Sequence, residues 1–302
     1  MITSNSKELV KKTVKKQRKL KTLEDLTIRD DYMFSKVMSF QKICKEFLEA
    51  IFNIEIEKIE YINVEERIKT TYEHKGVRLD VYIKDKIGTV YNIEMQLIDY
   101  KNLAKRARYY QAMIDSSLLL KNTDYNLLNK SFIIFICPFK LFDEDRQIYT
   151  FKNFCEENKN IQLEDEATKI FISTKNKKEK KLNANLEAFL EYVNGKMPDN
   201  SFVKEIDETI KYIKKDEKER DKYMKEHLLV MDSKRLGKEQ QAVEDIKLAM
   251  KNFHISLDQA IKGFEINSKE DQALFIKLIN DPEFYDEYFY PEAYYKIVEV
   301  EE

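Results

Sequence analysis

Two short stretches of the chain alternate between apolar and polar residues, and together they predict a β-hairpin. In residues 77–83 (Val-Arg-Leu-Asp-Val-Tyr-Ile) and 91–97 (Tyr-Asn-Ile-Glu-Met-Gln-Leu) every odd-numbered position is apolar. A period of two is typical of a strand with one buried face. Lys86-Ile87-Gly88 fits a three-residue loop between the strands, with Gly88 in the left-handed conformation that glycine tolerates.

The length of this loop determines which residues face each other. If Asp85 pairs with Thr89, Asp80 lies directly opposite Glu94, with Cβ atoms roughly 4.5–5.5 Å apart. A two-residue loop would put the two acids on opposite faces and mix apolar with polar positions, so the hydrophobic pattern favours the three-residue loop. Gln96 lies two positions after Glu94 and is expected to project from the same face.

The remaining periodicity predicts an α/β domain followed by helices. Apolar residues recur every three or four positions from Asp30 or Asp31 to Phe52 and again in residues 102–120, and each segment is predicted to be one helix. Strands are predicted at 59–68, at the unbroken apolar run 132–137, and at 169–174. The helices predicted after residue 181 cover 183–194, 202–229, 239–254, 257–264 and 269–279.

The predicted organisation has three parts: a basic arm (1–25), an α/β domain (26–175) and a helical region (176–302). The arm could contact DNA phosphates or serve as a solubilising tail, and the sequence leaves both interpretations open. The helical region is a candidate surface for a homo-oligomer. The candidate DNA-binding residues of the arm are Lys11, Lys12, Lys15, Lys16, Arg18 and Lys19.

Composition excludes several kinds of chemistry. The 302 residues carry a net charge of −2, so overall charge neither requires nor excludes a nucleic-acid partner. The three cysteines form no CxxC pair and the three histidines no HExxH motif, which argues against zinc sites. The five glycines are isolated, so no phosphate-binding loop is visible. Without a long apolar run or a leader, we expect a cytoplasmic protein with no membrane segment.

Facing carboxylates are costly at neutral pH because their charges repel. A bound Mg²⁺ or Mn²⁺ would remove this cost, since oxygen ligands suit these ions. The alternative is a solvated sheet face on which Arg78 or Lys84 neutralises Asp80 and Glu94. Spacing alone does not decide between the two.

The ordered motifs of this region resemble the PD-(D/E)XK nuclease family transposases, also called the recombination-promoting nuclease (Rpn) family. The resemblance extends from about residue 26 to residue 174, and the helical remainder is also similar to the family. The stretches that carry it are Asp30-Asp31-Tyr32-Met33-Phe34-Ser35-Lys36-Val37-Met38, Arg78-Leu79-Asp80-Val81, Asn92-Ile93-Glu94-Met95-Gln96, Arg106-Ala107-Arg108-Tyr109-Tyr110 and Arg220-Asp221-Lys222-Tyr223-Met224.

The resemblance implies a restriction-endonuclease-like core, in which a mixed central sheet is flanked by helices. It implies that Asp80 and Glu94 hold a divalent metal, with the Met95 carbonyl as a third ligand. Gln96 takes the catalytic position where the wider superfamily has Lys, and glutamine brings no charge to it. Asp31 is either a further ligand or a residue that caps the first helix.

Arg106 and Tyr110 lie one turn apart on the predicted helix 102–120. Either residue could brace the carboxylates or contact phosphate, although Tyr110 also falls on the apolar stripe and could simply pack.

The predicted function is a Mg²⁺-dependent DNA endonuclease that promotes recombination or mobile-element activity. The alternative is a catalytically weak relative that acts as a DNA- or protein-binding module. A coiled-coil scaffold is disfavoured because residues 202–229 do not hold a heptad over several repeats.

Overall fold

A computed structural model describes residues 21–68, 76–176 and 182–289, and the chain divides into two compact units. One unit is Lys21–Arg220, and the other contains Asp221–Glu302. The helices are α1 (Asp31–Met38), α2 (Gln41–Phe52), α3 (Leu103–Leu118), α4 (Ala184–Val193), α5 (Ser201–Lys215), α6 (Glu217–Phe253), α7 (Leu257–Gly263), α8 (Lys269–Asn280) and α9 (Pro282–Phe289). The strands are β1 (Ile59–Ile68), β2 (Val77–Asp85), β3 (Val90–Met95), β4 (Ser131–Cys137), β5 (Ile148–Phe151) and β6 (Ala167–Ser173).

The six strands form one mixed sheet in the first unit, in the order β1-β2-β3-β4-β6-β5. The pairs β3–β4 and β4–β6 are parallel, and the other neighbours are antiparallel. Helix α3 makes the crossover that a parallel β3–β4 pair requires. The predicted fold class, a mixed central sheet flanked by helices and followed by a helical region, is confirmed.

Strand β4 lies at the centre of the core. Residues 133–137 are completely buried, as predicted from the unbroken apolar run. The Phe135 ring stacks on Phe171 of β6 with centroids 5.7 Å apart, and α3 packs on the same cluster. On another side of the unit, Phe47 of α2 packs on Phe189 of α4 at 4.7 Å.

The single helix predicted from Asp30 or Asp31 to Phe52 is wrong, because the structure divides it into α1 and α2. The Ser39 hydroxyl donates a 2.6 Å hydrogen bond to the Lys36 carbonyl, which offers the backbone an alternative to continuing the helix. Phe40 then takes an extended conformation (φ −75°, ψ 108°) and is 39% exposed.

The predicted helix boundaries after residue 200 also need correction. A break separates α5 from α6 at Asp216, inside the predicted helix 202–229, and α6 then runs without interruption through residues 230–238. Asp216 accepts a 2.8 Å hydrogen bond from the Lys218 amide, so it helps to start α6. Gly237 lies inside α6, where a glycine costs about 1 kcal/mol without necessarily ending the helix.

Strand β5 was not predicted. It has four residues, of which Ile148 and Tyr149 are half-buried and Thr150 and Phe151 are exposed, and it pairs with β6 at the edge of the sheet. So short an edge strand shows little hydrophobic alternation, and its pairing with β6 is decided by the tertiary structure.

The second unit has a small helical core of its own. Val243 and Ile246 of α6 pack with residues of α7 and α8, including Phe275 and Leu278. Ser256 caps α7 in a capping box and Ser268 caps α8 by accepting from the Asp271 amide at 2.9 Å. Among the described residues, no helix has the length and apolarity needed to cross a membrane.

Candidate functional site

The β2–β3 hairpin has the predicted loop and register. Asp85 and Thr89 close the loop with a 3.0 Å backbone hydrogen bond, and Gly88 has a φ of +87°. The Asp85 carboxylate accepts from the amide of Thr89 at 2.8 Å, which further stabilises the turn. Val81 faces Ile93 in the antiparallel ladder.

Asp80 and Glu94 occupy the next facing position. There the two strands are joined by hydrogen bonds from backbone amides to carboxylates, in place of bonds between backbone groups. The Asp80 amide donates to Glu94 Oε1 at 3.1 Å, and the Met95 amide donates to Asp80 Oδ2 at 3.1 Å. Each carboxylate is therefore held by a backbone amide of the opposite strand. The Ser35 hydroxyl of α1 adds a 3.1 Å hydrogen bond to the Asp80 carbonyl.

This face of the sheet is not the solvated surface that the alternative interpretation required. Glu94 is 1% exposed, and Asp80 is half-buried. Glu94 Oε2 accepts from Arg106 Nη2 at 2.8 Å, so the cation that pairs with it comes from α3 and not from Arg78 or Lys84. The alternation of residues along the strands could not predict that Glu94 is buried or that it pairs with a residue of a helix.

Arg106 is the centre of a hydrogen-bond network above the carboxylates. Its second terminal nitrogen donates to Gln96 Oε1, and its Nε donates to the Tyr110 hydroxyl at 2.7 Å. Residues four apart lie on one face of a helix, which explains why Tyr110 meets Arg106. The guanidinium also lies 4.9 Å from the Tyr110 ring centroid and 5.4 Å from that of Phe135, within range of cation–π attraction.

Burial dominates the electrostatics of the carboxylate pair. Desolvation raises the pKa of Glu94, and repulsion from Asp80 raises it further, although Arg106 opposes the shift. Desolvation also raises the pKa of Asp80, with a smaller contribution from the Asp31 carboxylate. The guanidinium groups of Arg106 and Arg78 thus only partly compensate the buried Glu94 and the half-buried Asp80.

The other predicted site residues lie at different distances from this pair. Gln96 is buried, its amide donates to the Ile136 carbonyl at 2.9 Å, and its Nε2 donates to the Ile98 carbonyl at 2.6 Å. Asp31 starts α1 with a side chain that is 68% exposed and lies 4.0 Å from Arg78. The N-cap position of α1 is occupied by Asp30, and Asp31 is the first helical residue. The Asp31 carboxylate accepts a 3.1 Å hydrogen bond from the Tyr32 amide, and its charge in the first turn favours the helix dipole.

Asn92 is a site residue that the sequence reasoning missed. It is fully buried, and its Nδ2 donates to Glu94 Oε1 at 3.1 Å. Its Oδ1 has no hydrogen-bond partner among the described residues. The sequence feature that could have identified Asn92 is its position two residues before Glu94, which puts both side chains on the same face of β3.

The donor set fits a hard divalent cation. The pKa values of the Asp80 and Glu94 carboxyl groups are raised because their charges are incompletely compensated. A bound Mg²⁺ or Mn²⁺ would stabilise the charged carboxylates, and waters and a phosphate oxygen would complete its coordination. Within the part of the chain that the structure describes, no group of three or more His, Cys, Asp or Glu side chains is arranged to hold a metal. The protein would therefore supply two carboxylates and the Met95 carbonyl, and leave the remaining positions to water and substrate.

The predicted DNA-binding residues of the arm, Lys11 to Lys19, lie outside the described residues. Their role stays a prediction.

A mixed sheet flanked by helices, with a carboxylate pair where two strands separate, defines a nuclease-like α/β protein. A family profile described as PD-(D/E)XK nuclease family transposase matches residues 28–240. The chain belongs to this family, which confirms the resemblance seen in the motifs around Asp80 and Glu94. Neither the curated proteins nor the solved structures contain a significant match.

Proposed function

We propose that the protein is a metal-dependent DNA endonuclease of the Rpn type that hydrolyses phosphodiester bonds. The observation that carries the proposal is a reciprocal pair of hydrogen bonds, in which each of the two carboxylates, Asp80 and Glu94, accepts from a backbone amide of the opposite strand and is held beside the other. Family membership supports a nuclease and DNA as its substrate. A role in recombination or mobile-element activity and a cytoplasmic location belong to the same proposal.

Asp80 and Glu94 would hold Mg²⁺ or Mn²⁺, with the Met95 carbonyl as a third ligand. When bound, the metal would supply Lewis acidity at the scissile phosphate and lower the pKa of the attacking water. The chain's part is to orient both carboxylates and to favour their ionised form. The amides of Asp80 and Met95 do this by donating one hydrogen bond to each carboxylate.

Arg106 would supply the positive charge that Gln96 lacks. Its guanidinium contacts both Glu94 and Gln96, so it lies beside the position where the wider superfamily has Lys. Tyr110 accepts a hydrogen bond from Arg106 Nε and would keep the guanidinium oriented toward the site. Gln96, held by Ile98 and Arg106, would position water or phosphate without contributing charge.

The direct test is cleavage of supercoiled plasmid by the purified protein, with and without Mg²⁺ or Mn²⁺. We expect metal-dependent nicking or linearisation by the wild type and no detectable cleavage by Asp80→Asn or Glu94→Gln. Glu144→Gln is the matched control, because the Glu144 side chain is 70% exposed. Among the described residues, its one ion pair is with Arg146. Cleavage that survives both carboxylate substitutions would defeat the proposal.

A second prediction separates the roles of Arg106 and Gln96. Arg106→Gln should lower the cleavage rate about 100- to 1,000-fold, the usual effect of removing one preorganised electrostatic group. Gln96→Lys should reduce activity in the wild type, because it places a second cation against Arg106, but should restore part of the rate in the Arg106→Gln background. Single-turnover rates of the four proteins measure this. If Gln96→Lys has the same effect in both backgrounds, Arg106 does not supply the missing charge.

The alternative function, a catalytically weak relative that binds DNA or protein, has one observation in its favour. Both Glu94 oxygens and the Gln96 carbonyl oxygen already have hydrogen-bond partners within the protein. This alternative expects no metal-dependent cleavage, and equal DNA binding by the wild type and Asp80→Asn. Homo-oligomerisation through the helical region stays a separate proposal, which light scattering of the full chain tests.

A further inference from the structure

The segment that follows Gln96 exposes large apolar side chains beside the carboxylate site. Leu97, Ile98 and Tyr100 are 39%, 44% and 61% exposed. Among the described residues, Tyr100 has neither a hydrogen bond nor a ring partner. Neighbouring exposed apolar side chains beside a candidate active site offer a surface to which a ligand can bind, because aromatic rings contribute much of the binding energy at interfaces.

This segment is fixed to the site at its Gln96 end. Gln96 bonds to the Ile136 carbonyl of β4 through its amide and to the Ile98 carbonyl through its side chain, at 2.9 and 2.6 Å. Two residues span at most ~7 Å, so Tyr100 starts within that distance of Ile98. After Tyr100, Lys101 takes a left-handed conformation, and its amide donates to Asp99 Oδ1 at 2.9 Å.

Basic residues follow the exposed ring along the chain. Lys101 is 86% exposed and pairs with Asp99, while Lys105 and Arg108 are exposed on the first turns of α3. No ion pair to Lys105 or Arg108 exists among the described residues. An aromatic ring next to basic side chains is the combination that binds single-stranded nucleic acid, because bases stack on the ring while cations follow the phosphates.

We infer that residues 97–100 form a nucleotide-binding loop, in which Tyr100 stacks on an unpaired base next to the scissile phosphate. The inference rests on the proposed function and deepens it by naming the substrate class. The protein would bind DNA that contains unpaired nucleotides, such as single strands, bulges and junctions, more tightly than continuous duplex. In a duplex the bases are stacked on each other, and their faces are not available to Tyr100.

The test measures DNA binding by the full chain without metal, so that cleavage does not interfere. Fluorescence anisotropy would compare a labelled single strand of about 20 nucleotides, which exceeds the usual site sizes, with the duplex of the same sequence. Tyr100→Ala should weaken single-strand binding about 5- to 150-fold and duplex binding less than about twofold. Tyr100→Phe should retain the wild-type affinity, because a phenyl ring also stacks.

Tyr212→Ala is the matched control. Tyr212 is 64% exposed on α5, and its replacement should leave both affinities unchanged. The inference is overturned if the wild type binds single strands no more tightly than duplex, if Tyr100→Ala has no effect, or if Tyr100→Ala weakens both substrates equally. Plasmid cleavage by the wild type is scored separately. Metal-dependent cleavage with no effect of Tyr100→Ala would reject the loop and leave the endonuclease proposal intact.

Discussion

The β2–β3–β4 region and helix α6 are stabilised in different ways. In the sheet, Val81, Ile93 and Ile134 are completely buried, and β3 is paired on both sides. Helix α6 has 37 residues, yet Leu228 and Leu229 are 60% and 61% exposed. Its neighbouring turns carry surface ion pairs such as Arg235–Glu239, at 3.1 Å.

The difference shows where a substitution will have consequences. Burial of one side chain such as Phe135 contributes several kcal/mol. An exposed ion pair between residues four apart contributes only ~0.2–0.5 kcal/mol, so that part of α6 depends on helix propensity summed over many residues. The candidate site lies in the buried β2–β3–β4 region. Its packed surroundings allow it to hold charged side chains in fixed positions.

The largest expected effect is a core truncation. Phe135→Ala should destabilise the first unit by about 3–5 kcal/mol, because the ring is fully buried and stacks on Phe171. Leu229→Ala on α6 should change stability by no more than about 0.5 kcal/mol. Urea unfolding followed by circular dichroism measures both. Equal effects would show that the two regions do not differ as described.

A pH dependence tests the buried charges. Because the pKa values of Asp80 and Glu94 are raised, the folded state binds more protons than the unfolded state above the ordinary carboxyl range. Without metal, stability should therefore fall as the pH rises from about 4.5 toward neutrality, by up to about 1.4 kcal/mol per pH unit for each group.

Thermal melts of the metal-free protein across this range give the slope. Asp80→Asn should flatten it, and the exposed control Glu144→Gln should not. Mg²⁺ should raise the melting temperature of the wild type more as the pH rises, because a larger fraction of the two carboxylates is then ionised. A slope that is unchanged in Asp80→Asn would mean that other groups cause the pH dependence.

The smallest expected effects come from two glycines, and they have opposite signs. Gly88→Ala should destabilise the protein by about 1–2 kcal/mol, because φ is +87° and the new Cβ would lie 3.2 Å from Asn129 Nδ2. Gly237→Ala should stabilise α6 by about 0.5–1 kcal/mol, because nothing lies within 4 Å and alanine favours helix. The denaturation midpoints of the two variants measure both changes in stability. The prediction is wrong if both variants are stabilised or both are destabilised.

Local patterns predicted the hairpin and its register correctly, because a period of two and a three-residue loop leave only one pairing that buries Val81 and Ile93 together. The same reasoning failed at Ser39 and Phe40. There the Ser39 hydroxyl bonds to the Lys36 carbonyl and Phe40 turns to an extended conformation, and no periodic signal marks this break. The break at Asp216 was missed for a similar reason, since charged residues on both sides are compatible with one continuous helix.

The sequence by itself determined the alternation that makes Asp80 and Glu94 neighbours, and the motifs that indicate the family. It also determined the spacing that puts Arg106 and Tyr110 on one helix face. Only the tertiary structure decided that α3 covers this face of the sheet, buries Glu94 and places Arg106 against both Glu94 and Gln96. The reason is physical: strand and helix periods act over a few residues, whereas burial and charge pairing depend on which distant segments the fold brings together.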